Sequence, residues 1–328
     1  MQIAAILTVA AEESPRRAFS LIGRNTPENN GSFAKVDILG ANLLDRTLAK
    51  LRNLDTLPPR VLSGRNVSDH VLPSRSTRSG SFIDSWEKAI SDYVDAGVET
   101  ILLVRVGTYA DVDYRELIKF HHETGSPLSH VYCGETSLDI AVVNAALLRN
   151  TDDLVRRALS HLIPQQKRFR YQGYVNRLRN REDLHQLMQD GLRGQCQLQP
   201  VGVEVQPGVW CGEGAGIDST VSIQGPTFVG ARSKVASGCR IAGISSIERD
   251  CEVDCGTMID NSLVLCGTYV GMALDVRNSI VGNEKIFNLD RSVEVSVSDA
   301  RLIGRNTKQM ASFAGLTSLL RGEAQAAD

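Results

Sequence analysis

The chain has 328 residues, enough for two domains that each bury a core. Hydrophobic residues make up 42% and charged residues 23%, the balance of an ordinary globular protein. A net charge of -2 supplies no bulk field for nucleic acid or an anionic membrane surface, so neither is expected as a partner.

In chain order, Ile3–Val9 is predicted to be a buried strand. The apolar run Ile3–Ala11 is too short to span a bilayer and has no basic leader, so no anchor or signal peptide is expected. Leu44, Leu48 and Leu51 share one face at i, i+4, i+7 spacing, which predicts a helix over Gly40–Leu54. Arg60–Ser63 reads as a short strand. Residues 66–81 are polar, with Pro73, Gly80, Arg75 and Arg78, and read as a long loop. Ile83–Ala96 is predicted to be a helix with Ile83, Trp86, Ile90, Tyr93 and Val94 inward, stopped by Gly97. Glu99–Val106 is a second buried strand, Asp113–Thr124 a helix closed by Gly125, and His130–Cys133 a short strand. Two further helices, Asp152–Leu162 and Arg181–Leu192, complete this part. Strands alternating with helices predict a layered, mostly parallel α/β sheet over residues 1–194.

The pattern then changes. Every sixth residue from Val205 to Leu265 is apolar: Val205, Cys211, Ile217, Ile223, Val229, Val235, Ile241, Ile247, Val253, Ile259, Leu265. Four residues after each member through Val253 stands a mostly small residue: Val209, Ala215, Val221, Thr227, Ser233, Cys239, Ser245, Cys251, Thr257. Neither the helical period of 3.6 nor the strand period of 2 gives a repeat of six. A chain wound round a triangular prism does, with one branched residue per side pointing to the axis. The pattern resembles the hexapeptide-repeat left-handed parallel β-helix. The coil is assigned to residues 195–306, less regular after 270, and residues 307–328 to a flexible tail. The hexapeptide LIGRNT occurs twice, at Leu21–Thr26 and Leu302–Thr307, each time followed by Ser-Phe-Ala.

Seven cysteines are present, an odd count without a CxxC pair. Cys211, Cys239 and Cys251 fall on inward positions of the coil, where a free thiol acts as a small hydrophobe. Cys251 and Cys255 have no nearby His to complete a metal site. Reduced thiols fit the cytoplasm.

An α/β domain followed by a hexapeptide coil resembles the bacterial sugar-1-phosphate nucleotidyltransferases, the NDP-sugar pyrophosphorylases that include mannose-1-phosphate guanylyltransferase. Ala4–Val9 matches the family's first strand, and Leu43-Leu44-Asp45-Arg46-Thr47-Leu48 the helix after its second lysine motif. Leu103–His121 matches the metal-aspartate segment and the helix ending in Phe-His. Gly173-Tyr174 matches the GYW segment, and Pro207-Gly208-Val209-Trp210 the opening of the coil. The resemblance implies a Rossmann-like α/β nucleotidyltransferase domain followed by a left-handed parallel β-helix.

The family's chemical residues do not carry over. Where a glycine-rich loop should cradle phosphates, this chain has Ala10-Ala11-Glu12-Glu13-Ser14-Pro15-Arg16-Arg17, with no glycine and two carboxylates. Such a backbone closes poorly on an anion, and like charge repels it. The family's KP lysine falls near Phe33, with Lys35 two residues away; its first metal aspartate falls at Thr108, its second at Asn176 or Arg177, and its second lysine at Ala41. The match places nucleotide or phosphate contacts at Arg16, Arg17 and Lys35, and a sugar-phosphate pocket at Thr108, Asp111, Asn176 and Arg177. Mg²⁺ requires carboxylates, and phosphoryl transfer depends on the metal and cationic clamps. Asp111 and Asp113 could replace the lost aspartates, or could cap the helix that starts near Asp113.

The expected function is therefore a catalytically impaired nucleotidyltransferase-like protein of nucleotide-sugar and polysaccharide metabolism. It would bind a nucleotide sugar as a regulatory or partner subunit, with no catalytic residue, no metal and no cofactor of its own. Mg²⁺ enters only under the first alternative, an active NDP-sugar synthase with unusual ligands. A structural assembly module is the second alternative. A hexapeptide acyltransferase is the third; it needs a basic His, and no His lies in the coil or after it. Self-association, or a complex with an active nucleotidyltransferase, is expected because open coil ends are usually covered. The adjacent pair His121-His122 cannot easily share one ion, and the resemblance implies a structural His there. The basic run Gln166–Tyr171, with Arg177, Arg179 and Arg181, reads as a solvated face or phosphate-facing rim. No Ser-His-Asp arrangement is visible from spacing.

Overall fold

The computed structural model describes residues 2–10, 32–64, 81–149 and 155–306. Arg16, Arg17, the loop after residue 64, the first LIGRNT copy and the tail after residue 306 lie outside the described residues. The chain forms two compact units: Met1–Val36 with Ala41–Asp183, and Asp37–Gly40 with Leu184–Asp328. The sequence boundary at 194 lies beyond this division.

The first unit is built on a six-stranded mixed sheet. Its strands are β1 (Ile3–Ala10), β2 (Arg60–Gly64), β3 (Thr100–Val106), β5 (Leu128–Cys133), β6 (Thr136–Asn144) and β7 (Lys167–Arg170), in the order β2-β1-β3-β6-β5-β7. A small separate ladder pairs β4 (Tyr109–Ala110) with β8 (Val175–Asn176). β1 runs parallel to β2 and β3, and β5 parallel to β7, while β6 is antiparallel to both β3 and β5. Five of the six strands therefore share one direction and β6 alone runs against them, so the sheet is mixed but mostly parallel, as the alternation of strands and helices predicts. β6 and β7 lie outside the strands read from the sequence. β6 has an apolar run that did not alternate, and β7 is the basic run Lys-Arg-Phe-Arg at the sheet edge, where charge is normal. β1 and β3 are buried on both faces, as their near-continuous apolar sequences require: Ala4, Ala5, Ile6, Leu7, Leu102 and Leu103 are at most 1% exposed.

Among the described residues five α-helices follow in chain order: α1 (Leu43–Arg52), α2 (Ser81–Asp95), α3 (Tyr114–Glu123), α4 (Val155–Leu162) and α5 (Arg181–Leu192). Trp86, Ile90 and Val94 of α2 and Leu159 of α4 join Ala4, Ile6, Leu103 and Val143 in one core on one face of the sheet. α1 starts at Asn42, whose side chain accepts from Asp45 N, and α3 at Asp113, whose carboxylate accepts from Arg115 N. Among the described residues no helix is long and apolar enough to cross a membrane.

The second unit stacks three sheets of short parallel strands, consistent with a β-helix. Thr227 pairs with Val209 and Ser245, Val235 with Ile217 and Val253, and Ile241 with Ile223 and Ile259, each eighteen residues apart. Val229, Val235, Ile241, Ile247, Val253 and Ile259 form its axial core. Buried hydroxyls join successive turns at the corners: Ser233 Oγ donates to Glu248 O and accepts from Cys251 N, and Thr257 Oγ1 donates to Gly271 O and accepts from Leu274 N. These groups satisfy backbone that the corners remove from the ladders.

Two members of the predicted series are corrected. Val205 is 54% exposed, because Val203–Gln206 folds back antiparallel on the first coil strand instead of entering the coil. Leu265 is not an axial residue. The corner at Asn261 (φ 47°) is one residue shorter, Ile247 pairs with Val264, and the core continues as Val264, Val270 and Val276. After Ser279–Gly282 the chain leaves the coil in antiparallel strands, the last being Ile303–Arg305 against Thr268–Val270. This gives the second LIGRNT copy a physical role. Ile303 is fully buried in the coil core, a Cβ on Gly304 would meet Ala300 O at 2.5 Å, and Asn306 Nδ2 donates to Asp250 O.

Within this unit α5 is bonded to the coil through His185 and Gln189, both on Asn261. Asp37–Gly40 is bonded to it through Glu248, whose carboxylate accepts from Leu39 N and Gly40 N at 2.8 Å each.

Candidate functional site

β3 ends at Val106, and Thr108, two residues on, lines a cleft in the first unit. Arg46, Thr47 and Lys50 line it from α1, Arg105 and Thr108 from the end of β3, and Tyr109 and Tyr114 from the segment leading into α3. Strand ends of an open α/β sheet are where ligands commonly sit. The cavity measures about 30 Å³, room for roughly two waters.

The side chains around it are tied together. Lys50 Nζ donates to Ala110 O at 3.5 Å and lies 5.9 Å from the Tyr109 ring centroid. Burial pushes its ammonium below the ordinary lysine range, while Asp111 and Asp113 pull the other way. Tyr109 donates to Asp111 Oδ1 at 2.6 Å and stacks edgewise on Tyr174 at 6.0 Å. Burial raises the Tyr114 hydroxyl, and Thr47 opposes this through a hydrogen bond. Burial, with Asp111 adding to it, also raises the Tyr171 hydroxyl. Arg105 pairs with Asp139 at 3.3 Å.

Of the predicted site residues, Thr108 lines the cleft, and Asp111 joins it one bond away through Tyr109. Asn176 is brought beside Tyr109 by the β4–β8 pair, but its side chain closes a local turn: Oδ1 accepts from Leu178 N and Nδ2 donates to Asp183 O. Lys35 is exposed and Arg177 half-buried, and neither lines the cleft. Arg46, Lys50 and Arg105 were not singled out in the sequence. The available signal was the i, i+4 spacing of Arg46 and Lys50, which also describes a solvated helix face.

The lining is cationic, with no carboxylate among the described residues that form it. Thr108 offers only a hydroxyl, Asp111 is engaged by Tyr109, and Asp113 caps α3. Among the described residues no group of three His, Cys, Asp or Glu could hold a metal ion. These residues do not fit Mg²⁺, but they fit an anionic oxygen such as a phosphate or carboxylate.

No protein-family model matches the chain. Over 68 residues the chain is 32% identical to UTP--glucose-1-phosphate uridylyltransferase from Synechocystis sp. (strain ATCC 27184 / PCC 6803 / Kazusa). The matched stretch is 20% of this chain and 18% of that protein. This partial similarity supports a relationship to sugar-phosphate nucleotidyltransferases at the family level only.

Proposed function

We propose that this chain is a nucleotidyltransferase-like protein of nucleotide-sugar metabolism that binds a nucleotide sugar without transferring a nucleotidyl group. Its first unit is then a Rossmann-like nucleotidyltransferase domain, and its second a left-handed β-helix that serves as scaffold. It acts in the cytoplasm as a regulatory or partner subunit, either self-associated or with an active nucleotidyltransferase. One observation carries the reading: the cleft after β3 keeps cations, Arg46, Lys50 and Arg105, and has a threonine where catalysis calls for a metal-binding carboxylate. The partial likeness to a uridylyltransferase supplies the substrate class, a nucleotide and a sugar phosphate.

The test incubates the full chain with UTP, glucose-1-phosphate and Mg²⁺ and follows pyrophosphate, with a thermal-shift screen of UDP-sugars alongside. The expected result is no pyrophosphate and a rise in melting temperature with ligand concentration, as mass action requires. Steady pyrophosphate release would establish the active alternative. Absence of any shift at millimolar ligand would leave the assembly role.

A further inference from the structure

Next to the cleft, whose lining includes Ile140 of β6 and Arg105, the β5–β6 hairpin gathers polar side chains that the proposed function does not use. Ser137 Oγ lies 2.7 Å from His130 Nε2, and Gln166 Oε1 lies 3.2 Å from His130 Nδ1. An amide oxygen only accepts, so Nδ1 carries the proton and Nε2 accepts from the serine hydroxyl. That is the tautomer of a general base, with nucleophile, base and orienting group in one chain of hydrogen bonds. His130 is 8% exposed, and Ser137 is half-buried.

The backbone is distorted to make this contact. His130 pairs with Ala141 and Tyr132 with Ser137, so β5 advances two residues while β6 advances four. Within the resulting bulge Asp139 adopts φ 56°, a left-handed conformation that costs a non-glycine residue energy. The Arg105 ion pair and a 2.9 Å bond from Asp139 N to Ser137 Oγ hold it. A bulge re-aims a side chain, and here it turns Ser137 towards His130.

Cations lie beside the pair. Arg168 and Arg170 of β7 register against His130 and Tyr132, so they share that face of the sheet. Phe169 between them points the other way, onto Phe120 at 5.3 Å. The Arg168 guanidinium sits 4.7 Å from the Tyr132 ring centroid, and its carboxylate partner Glu135 is 89% exposed.

We propose that Ser137 is a nucleophile, activated by His130 and oriented through Gln166, that takes an acyl group from an activated carboxylic ester with a negatively charged acyl chain. Ser137 Oγ forms a bond to the carbonyl carbon while its proton passes to His130 Nε2. The ester C–O bond breaks, and the leaving oxygen takes that proton. Water then adds to the acyl-serine and gives its proton to His130, and Ser137 Oγ leaves and recovers it. Arg168 and Arg170 attract the charged end of the acyl chain. Acylation expels the good leaving group of an activated ester whereas deacylation must expel the serine alkoxide, so deacylation is the slower step and the acyl-serine accumulates.

The experiment treats the full chain with 4-nitrophenyl hemisuccinate, follows the burst of nitrophenolate and locates the acyl group by peptide mass spectrometry. The expected result is a stoichiometric burst with the succinyl group on Ser137. Ser137→Ala loses the burst, and His130→Gln slows it at least about tenfold. Arg168→Ala with Arg170→Ala raises KM for the hemisuccinate by a larger factor than KM for 4-nitrophenyl acetate. Because the wild-type label is located directly, the result stands even where a variant fails to fold. No acylation of Ser137, or an equal burst in folded His130→Gln, overturns the proposal.

Discussion

His121 gives the first unit a specific acid sensitivity. It lies on α3, is 3% exposed, and its Nδ1 sits 2.9 Å from Ser129 Oγ on the sheet beneath. Burial, with the neighbouring His122 ring adding to it, pushes its imidazolium down to about 4 from the ordinary 6.5. As pH falls through 6.5 the unfolded chain takes up a proton that the folded chain refuses until about 4. Stability from this group is therefore complete above about pH 6.5 and declines between there and pH 4. The difference of about 2.5 pK units gives at most about 3 kcal/mol, of which about 2.5 kcal/mol is lost by about pH 4.5. The measurement is urea unfolding at about pH 7.5 and about pH 4.5. Trp86, in the core of this unit, is the fluorophore, in a background where Trp210→Phe silences the other tryptophan. His121→Gln can still bond Ser129 but cannot titrate, so its acid loss should be smaller than that of the parent by about 2 kcal/mol. Equal losses in both proteins would refute the argument and make other groups responsible for the acid transition.

Lys50→Met keeps the apolar stem of the side chain and removes the charge, and should weaken UDP-sugar binding roughly tenfold in a thermal-shift titration. Glu248→Ala leaves Leu39 N, Gly40 N and the Ser246 hydroxyl without their acceptor inside a fully buried site. It should cost about 2–5 kcal/mol in urea unfolding of the coil unit, whereas Asp250→Ala, which breaks the exposed pair with Arg232, should cost under about 1 kcal/mol. Ile259→Ala opens the coil axis and should cost about 2–5 kcal/mol, while Val205→Ala, at another position of the same six-residue period, should be nearly neutral.

The contrast between Ile259 and Val205 shows where sequence periodicity holds and where it stops. The period of six records which residues could point inward if the chain kept coiling. It does not record that Val203–Gln206 pairs backwards on the edge, or that the Asn261 corner drops a residue and hands the axial position from Leu265 to Val264. Both departures are backbone events, and periodicity reports side chains. The candidate site divides the same way. Thr108 was legible through the match of Leu103–His121 to the family's metal-aspartate segment, which is contiguous in sequence. Arg46, Lys50 and Arg105 were not, because their convergence depends on α1 packing against β3, a contact between segments about fifty residues apart. Ser137 and His130 are only seven residues apart, yet a regular hairpin would not bring them together in this way. The bulge at Asp139 does so, and its positive φ is carried by an aspartate, not by a glycine that the sequence would have shown. Each missed residue in this chain is therefore one placed by a break in regular pairing or by packing between distant elements. Those are the two places where local residue chemistry stops determining geometry, and in this chain the candidate binding and nucleophilic groups stand there.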